Sequence, residues 1–224
     1  LGHLSPRGSK AKKFCTIHNI YFTKNFLDIV IYKIYKYILR GGTYVISISR
    51  SVEDHVINTL KIARESSFLL PNAIPQEAVF KSKKSNDKIK ILFVGRLVKQ
   101  KNVETLIKAL NTLNDKDFRK SIEVDIVGDG PLMGKLIALT KSLKLSHMIS
   151  FEGNKRNVES YYQKADIFVL PSIWEGFGLV ILESFKAKVA VISSNIEGPS
   201  ELIRHGFNGL LFEPGDYIGL ANNI

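Results

Sequence analysis

From Lys90 onward, short apolar runs alternate with amphipathic stretches, the pattern of strand–helix–strand units that build a parallel sheet. Residues 89–94 read as a buried strand, and Val103, Leu106, Ile107, Leu110 and Leu113 then recur at helical spacing. The same alternation predicts strands at 122–127, 149–151, 167–170 and 189–193, with helices at 132–143, 158–163 and 179–186. Five strands with helices between them fit an open, Rossmann-like sheet. A further helix starts after Pro214-Gly215-Asp216, so the chain is expected to be cut short at Ile224.

Before residue 71 the pattern is less complete, with strands expected at 14–17 and 44–49 and helices at 26–39 and 52–62. We read residues 1–70 as the tail of a second domain and 71–88 as a linker, marked by Pro71, Pro75 and the polar run from Lys81 to Lys88. Residues 89–224 form the main domain. The opening Leu1-Gly2-His3-Leu4-Ser5 reads as the middle of a longer chain, and Pro6-Arg7-Gly8-Ser9 is similar to a cleavage-tag scar.

No apolar run approaches the roughly 18–20 residues that span a bilayer. The single cysteine, Cys15, excludes an intramolecular disulfide and a Cys-based zinc site, and fits a strand in a reducing compartment. The formal charge of +11 is uneven: residues 1–88 carry 15 Lys/Arg against 6 Asp/Glu, and residues 89–224 carry 17 against 15. A basic first third suits solvated loops or an anionic partner. Its Ile/Tyr-rich stretch from Ile29 to Ile38 is expected to pack in a core, the other use of such a helix being a membrane surface.

Three strand ends carry chemistry. Gly95 and Arg96 follow the first strand and Lys101 opens the next helix, so both cations lie where an open α/β sheet binds phosphate. A guanidinium and an ammonium suit a diphosphate, and equally suit solvated loops. Gly128-Asp129-Gly130-Pro131 permits a tight turn and close approach of backbone to ligand. It is not a Gly-x-Gly-x-x-Gly fingerprint, since Met133 and Gly134 break the spacing, and this speaks against a dehydrogenase. In the segment from Pro171 to Glu183, a strand enters a glycine-containing loop and then a helix whose free N–H groups favour an anion. Glu175 precedes that helix and Glu183 lies about five residues into it. The pair can hold sugar hydroxyls and a ribose diol, or alternatively Glu175 caps the helix while Glu183 pairs with Lys186 or Lys188.

In order, Gly95-Arg96-Leu97 with Lys101, Gly128-Asp129-Gly130-Pro131, Phe151-x-Gly153, the run from Ala165 to Ser172, Glu175-x7-Glu183 and the segment from Glu201 to Phe212 resemble the donor domain of the family 4 retaining glycosyltransferases. The resemblance covers residues 14–224. It implies a GT-B α/β fold, a Rossmann-like parallel-sheet donor domain with a partial second Rossmann-like domain. It also implies a hexosyltransferase-type enzyme that takes a nucleotide-diphosphate sugar to a glycan or lipid-linked acceptor. Arg96 and Lys101 would bind the diphosphate, Glu183 the ribose, Glu175 the transferred sugar, Gly178 and Leu179 backbone the phosphate or sugar, and Gly153, Asn154 and Lys155 the base. Gly95 and Phe177 fall within the same nucleotide-sugar motifs.

Thr16-Ile17-His18 matches the family's Thr-x-His segment, which sets His18 opposite the donor sugar, and Ser47-Ile48-Ser49 matches a later strand-end serine. Two departures stand out: Asn102 replaces the usual Gly, and the glycine-rich acceptor-side loop is absent. No cofactor or metal is expected, because Arg96, Lys101 and the helix N-terminus would meet the charge on the departing phosphate while Glu175 orients the sugar. Asp115-Lys116-Asp117 has the form of a metal motif but falls at the wrong end of the sheet, where a solvated turn is expected. A cytoplasmic enzyme of envelope-polysaccharide synthesis at the inner membrane face fits the basic first third; no nucleic-acid motif is present. The competing reading is a nucleotide-sugar-binding module without transferase activity.

Overall fold

The computed structural model describes residues 12–18, 26–40, 42–75, 88–113 and 116–224. Most of the expected linker, Asn19 and Asp115 lie outside them, as do residues 1–11. The chain divides into two compact units, one ending at Asn72 and including Glu175–Phe177, the other formed by Ala73–Trp174 and Gly178–Ile224.

The first unit is a three-stranded parallel sheet in the order β1 (Lys13–Ile17), β2 (Thr43–Ser47), β3 (Ser67–Leu69). Helix α1 (Phe26–Arg40) joins β1 to β2, and α2 (Arg50–Asn58) follows β2. Ile17, Leu39, Val45, Val52, Val56 and Leu60 are buried here. Ser49, matched to a strand-end serine, caps α2: its hydroxyl accepts the Val52 N–H at 3.3 Å. Helix α2 stops earlier than the apolar spacing suggests, with Leu60 and Ile62 delivered to the core by an irregular turn. Strand β3 was not expected, being three residues long and without visible alternation.

The second unit is a six-stranded, wholly parallel sheet in the order β6 (Ile149–Gly153), β5 (Ile122–Val127), β4 (Ile89–Val94), β7 (Ile167–Leu170), β8 (Ala190–Ser194), β9 (Leu210–Phe212). Counted within the unit this is 3-2-1-4-5-6, the doubly wound order with its reversal between β4 and β7. The expected α/β class therefore holds, with a sixth strand, β9, that runs Leu210–Phe212 inside the segment read only as a motif.

Both sheet faces are covered, as a parallel sheet requires. On one side Ile91 and Phe93 of β4 pack with Leu106, Ile107 and Leu110 of α3 (Val103–Thr112), Leu136 of α5 (Met133–Ser142) and Leu220 of α9 (Tyr217–Asn223). On the other, Leu92 packs with Tyr162 of α6 (Glu159–Tyr162), Ile181 of α7 (Leu179–Lys186) and Ile203 after α8 (Pro199–Leu202). Helix α9 begins after Asp216, whose carboxylate accepts the Ile218 and Gly219 N–H groups at 3.1 and 2.9 Å. Lys116 and Asp117 of the expected turn instead open a short helix, α4 (Lys116–Lys120), that leads into the start of β5, away from the strands' carboxyl ends. Among the described residues no helix is long and apolar enough to cross a membrane.

Candidate functional site

The reversal between β4 and β7 opens a crevice at the carboxyl edge of the sheet, and three strand-end loops build its floor through their backbones. Gly95 N–H donates to Val127 O at 3.0 Å, Leu97 N–H to Asp129 O at 2.9 Å, Leu132 N–H to Leu97 O at 3.0 Å and Gly128 N–H to Gly153 O at 2.8 Å. A Cβ on Gly128, which has φ +135°, would run into the Gly95 carbonyl oxygen, and one on Gly130 would lie 2.6 Å from Leu97 O. These glycines therefore admit a neighbouring loop, and Gly128 also lines the cavity beside it. Their absence of side chains lets the β4 and β5 loops touch, and that contact sets the backbone on which Arg96 stands.

Arg96 is exposed and lines a cavity of about 410 Å³ with Gly95, Asp129, Asn154, Lys155 and Val158. Lys155 pairs with Glu152 at 3.2 Å, and the Tyr161 hydroxyl donates to the same carboxylate at 2.7 Å. The Tyr161 hydrogen bond, then Lys155, hold the Glu152 carboxyl below its usual range, and Glu152 in turn raises Lys155.

Lys101 ends a 3₁₀ turn, Lys99–Lys101, with its side chain laid along Gly95; a Cβ there would meet Lys101 Cε at 3.5 Å. The same turn is tied to the β7–α7 loop, since Ile173 N–H donates to Gln100 O at 2.8 Å and the Gln100 amide to Trp174 O at 2.9 Å. Asn102 has φ +46° and ψ +43°, the left-handed conformation, and its amide reaches Thr105 Oγ1 at 2.7 Å. That accounts for the departure noted above: after Gly, Asn tolerates this backbone best.

Gly178, buried and at φ +93°, is the N-cap of α7, which puts the unbonded N–H groups of that helix at the carboxyl edge. Leu179 is its first residue and exposed; Phe177 is buried and Glu175 half-buried in the loop before it. Glu183 sits five residues into α7 and lines a second cavity of about 420 Å³ with Val94, Val158, Glu159, Tyr162 and Lys186. Val94 and Val158 line both cavities, so the two adjoin. The Tyr162 hydroxyl donates to Glu183 Oε2 at 2.8 Å. Burial, then the Glu183 charge, push that phenol well above its ordinary pKa. His18 is exposed, one residue past β1 in the first unit.

Tyr162, Tyr161 and Glu152 were not foreseen. The available signal was a tyrosine at an inward helical position, where a buried hydroxyl demands a partner. A third cavity, about 360 Å³ and bounded by Ile167, Ala190, Phe207, Asn208 and Asn223, lies at the opposite edge, where β7 and β8 begin.

A doubly wound sheet with Arg96, Lys101 and the start of α7 beside its switch point is an α/β unit of the kind that takes ligands at the carboxyl ends of its strands. The chain belongs to the glycosyl transferases group 1 family, whose pattern it matches over residues 75–224. It is 34% identical over 164 residues to the Campylobacter jejuni GalNAc-alpha-(1->4)-GalNAc-alpha-(1->3)-diNAcBac-PP-undecaprenol alpha-1,4-N-acetyl-D-galactosaminyltransferase, covering 73% of this chain and 45% of that protein. It is 33% identical over 132 residues to the Escherichia coli UDP-Gal:alpha-D-GlcNAc-diphosphoundecaprenol alpha-1,3-galactosyltransferase, covering 58% and 34%. The chain thus spans less than half the length of either relative. Anabaena HepE, solved in complex with UDP, superposes with a TM-score of 0.81 at 22% identity, over 94% of this chain and 61% of that one. The GT-B fold expected from the motifs is the fold of this chain.

Proposed function

We propose that residues 89–224 bind a nucleotide-diphosphate sugar and that the complete protein transfers the sugar, with retention, to a hydroxyl of a glycan or lipid-linked acceptor in envelope polysaccharide or lipopolysaccharide synthesis. The observation that carries this reading is the placement of Arg96 and Lys101 after β4 and of the Gly178-capped helix start after β7, the two strands that flank the reversal. In this reading Arg96, Lys101 and the N–H groups at Gly178 and Leu179 receive the diphosphate and stabilise the charge it gains on leaving. Glu183 accepts the ribose hydroxyls, Gly153, Asn154 and Lys155 border the base, Gly95 lies against the nucleotide sugar, and Glu175, next to Phe177, orients the transferred sugar.

His18 is assigned to the sugar from the acceptor-side unit, residues 1–70, with 71–88 as the linker. The reaction needs no metal, and the basic first third draws the enzyme to the cytoplasmic face of an anionic membrane. The relatives named for undecaprenol-linked saccharides support a lipid-linked acceptor.

Titration of the chain with UDP, GDP, ADP and CDP, with a donor-hydrolysis assay and EDTA controls, tests the reading. One nucleotide should bind, and Arg96→Ala with Lys101→Ala should weaken it about a hundredfold. Unchanged binding in the double variant would remove the site assignment. The second reading, binding without transfer, draws on the chain's coverage of less than half of the two relatives named above. It predicts nucleotide binding with no hydrolysis of any donor sugar.

A further inference from the structure

Tyr162 is 4% exposed and belongs to the core layer under α7, with its ring 5.8 Å from that of Phe168. Its body is therefore fixed by packing, and the hydroxyl is the one polar atom it extends toward the 420 Å³ cavity, where it meets Glu183 at 2.8 Å. A carboxylate on a flexible side chain at a cavity wall has several rotamers. A donor anchored in the core selects one of them and occupies one of its two oxygens. A phenol is suited to this, because it remains protonated where a second cation would compete with the ligand. Burial keeps the Tyr162 proton in place well beyond neutral pH.

We infer that Tyr162 is a positioning residue that holds Glu183 by Oε2, turns its second oxygen to a vicinal ribose diol, and thereby makes the site selective for ribonucleotides over 2′-deoxyribonucleotides. The inference rests on the assignment of Glu183 to the ribose. A ribose offers two neighbouring O–H donors to one carboxylate oxygen; a 2′-deoxyribose offers one, and a Glu183 free to change rotamer gains little from either.

The test is calorimetric titration of the full chain with the tightest-binding of UDP, GDP, ADP and CDP and with its 2′-deoxy counterpart. Wild-type protein should bind the ribonucleotide about tenfold more tightly than the deoxynucleotide. Tyr162→Phe removes one oxygen and keeps the ring. It should weaken the ribonucleotide about tenfold, leave the deoxynucleotide unchanged and bring the ratio close to one. A purely structural role for the hydroxyl would shift both ligands together and preserve the ratio, which overturns the inference.

Glu183→Gln separates the two levels. If wild type does not discriminate, or if Glu183→Gln still does, the ribose assignment itself fails. If Glu183→Gln abolishes discrimination while Tyr162→Phe retains it, only the role of Tyr162 fails. Should Tyr162→Phe not fold, as judged by its melting temperature, 3-fluorotyrosine at position 162 decides. It keeps the volume and strengthens the donor, so the ratio should rise, and an unchanged ratio counts against the inference.

Discussion

Two positions show how a backbone requirement reads as a residue type. At Gly128 a positive φ coincides with a neighbouring carbonyl occupying the place of a Cβ, so Gly128→Ala should cost about 3 kcal/mol in denaturant unfolding. A loss below about 1 kcal/mol would show that the β4 and β5 loops can part. At Asn102 only the left-handed backbone matters, because the hydrogen bond its side-chain amide donates to Thr105 Oγ1 is local. Asn102→Gly should therefore fall within about 0.5 kcal/mol of wild type, and Asn102→Val should lose about 1–2 kcal/mol. Equal losses for both would point to the amide in place of the backbone.

At the scale of elements, β4, β5 and β7 were visible because they are largely buried runs, and α3 because it carries a broad apolar stripe, whereas the short, polar α4 was read as a turn. Ile91 and Phe93 face one layer and Leu92 the other, as a continuous apolar run in a parallel sheet implies. Strands β3 and β9 were hidden for a shared reason: each has three residues, too few to establish a period, and each gains its identity from pairing with a neighbour.

The strand-end cations were legible because a strand end is where an α/β sheet exposes ligand-binding groups. Tyr162 was not, since its partner Glu183 is 21 residues away and only the tertiary fold brings them together. The glycines of Gly128-Asp129-Gly130 were legible as special, but their spacing could not show that a second loop, besides the cavity Gly128 lines, takes the place of their Cβ atoms. Helix α9 follows a local rule in full: Asp216→Ala should remove the cap on Ile218 and Gly219 and cost about 1 kcal/mol, measured by thermal unfolding, whereas no change would mean that α9 is held by packing of Leu220 alone.

For the whole molecule, charge and architecture divide the chain in the same sense. The excess of Lys and Arg lies before residue 89, while the doubly wound sheet and the cavity at its switch point lie after it. Sedimentation with liposomes should accordingly show binding to anionic vesicles that falls with salt and is absent for neutral ones. Equal binding to both would detach the basic region from any membrane role.

The central claim, that the β4–β7 switch point is a nucleotide site, is tested most directly by hydrogen exchange of the chain with and without saturating UDP, GDP, ADP or CDP. One of the four should protect residues 95–101 and 178–183 together, the two sides of the reversal in strand order. Protection confined to residues 206–210, beside the cavity at the opposite edge, or no protection by any of the four, would contradict it.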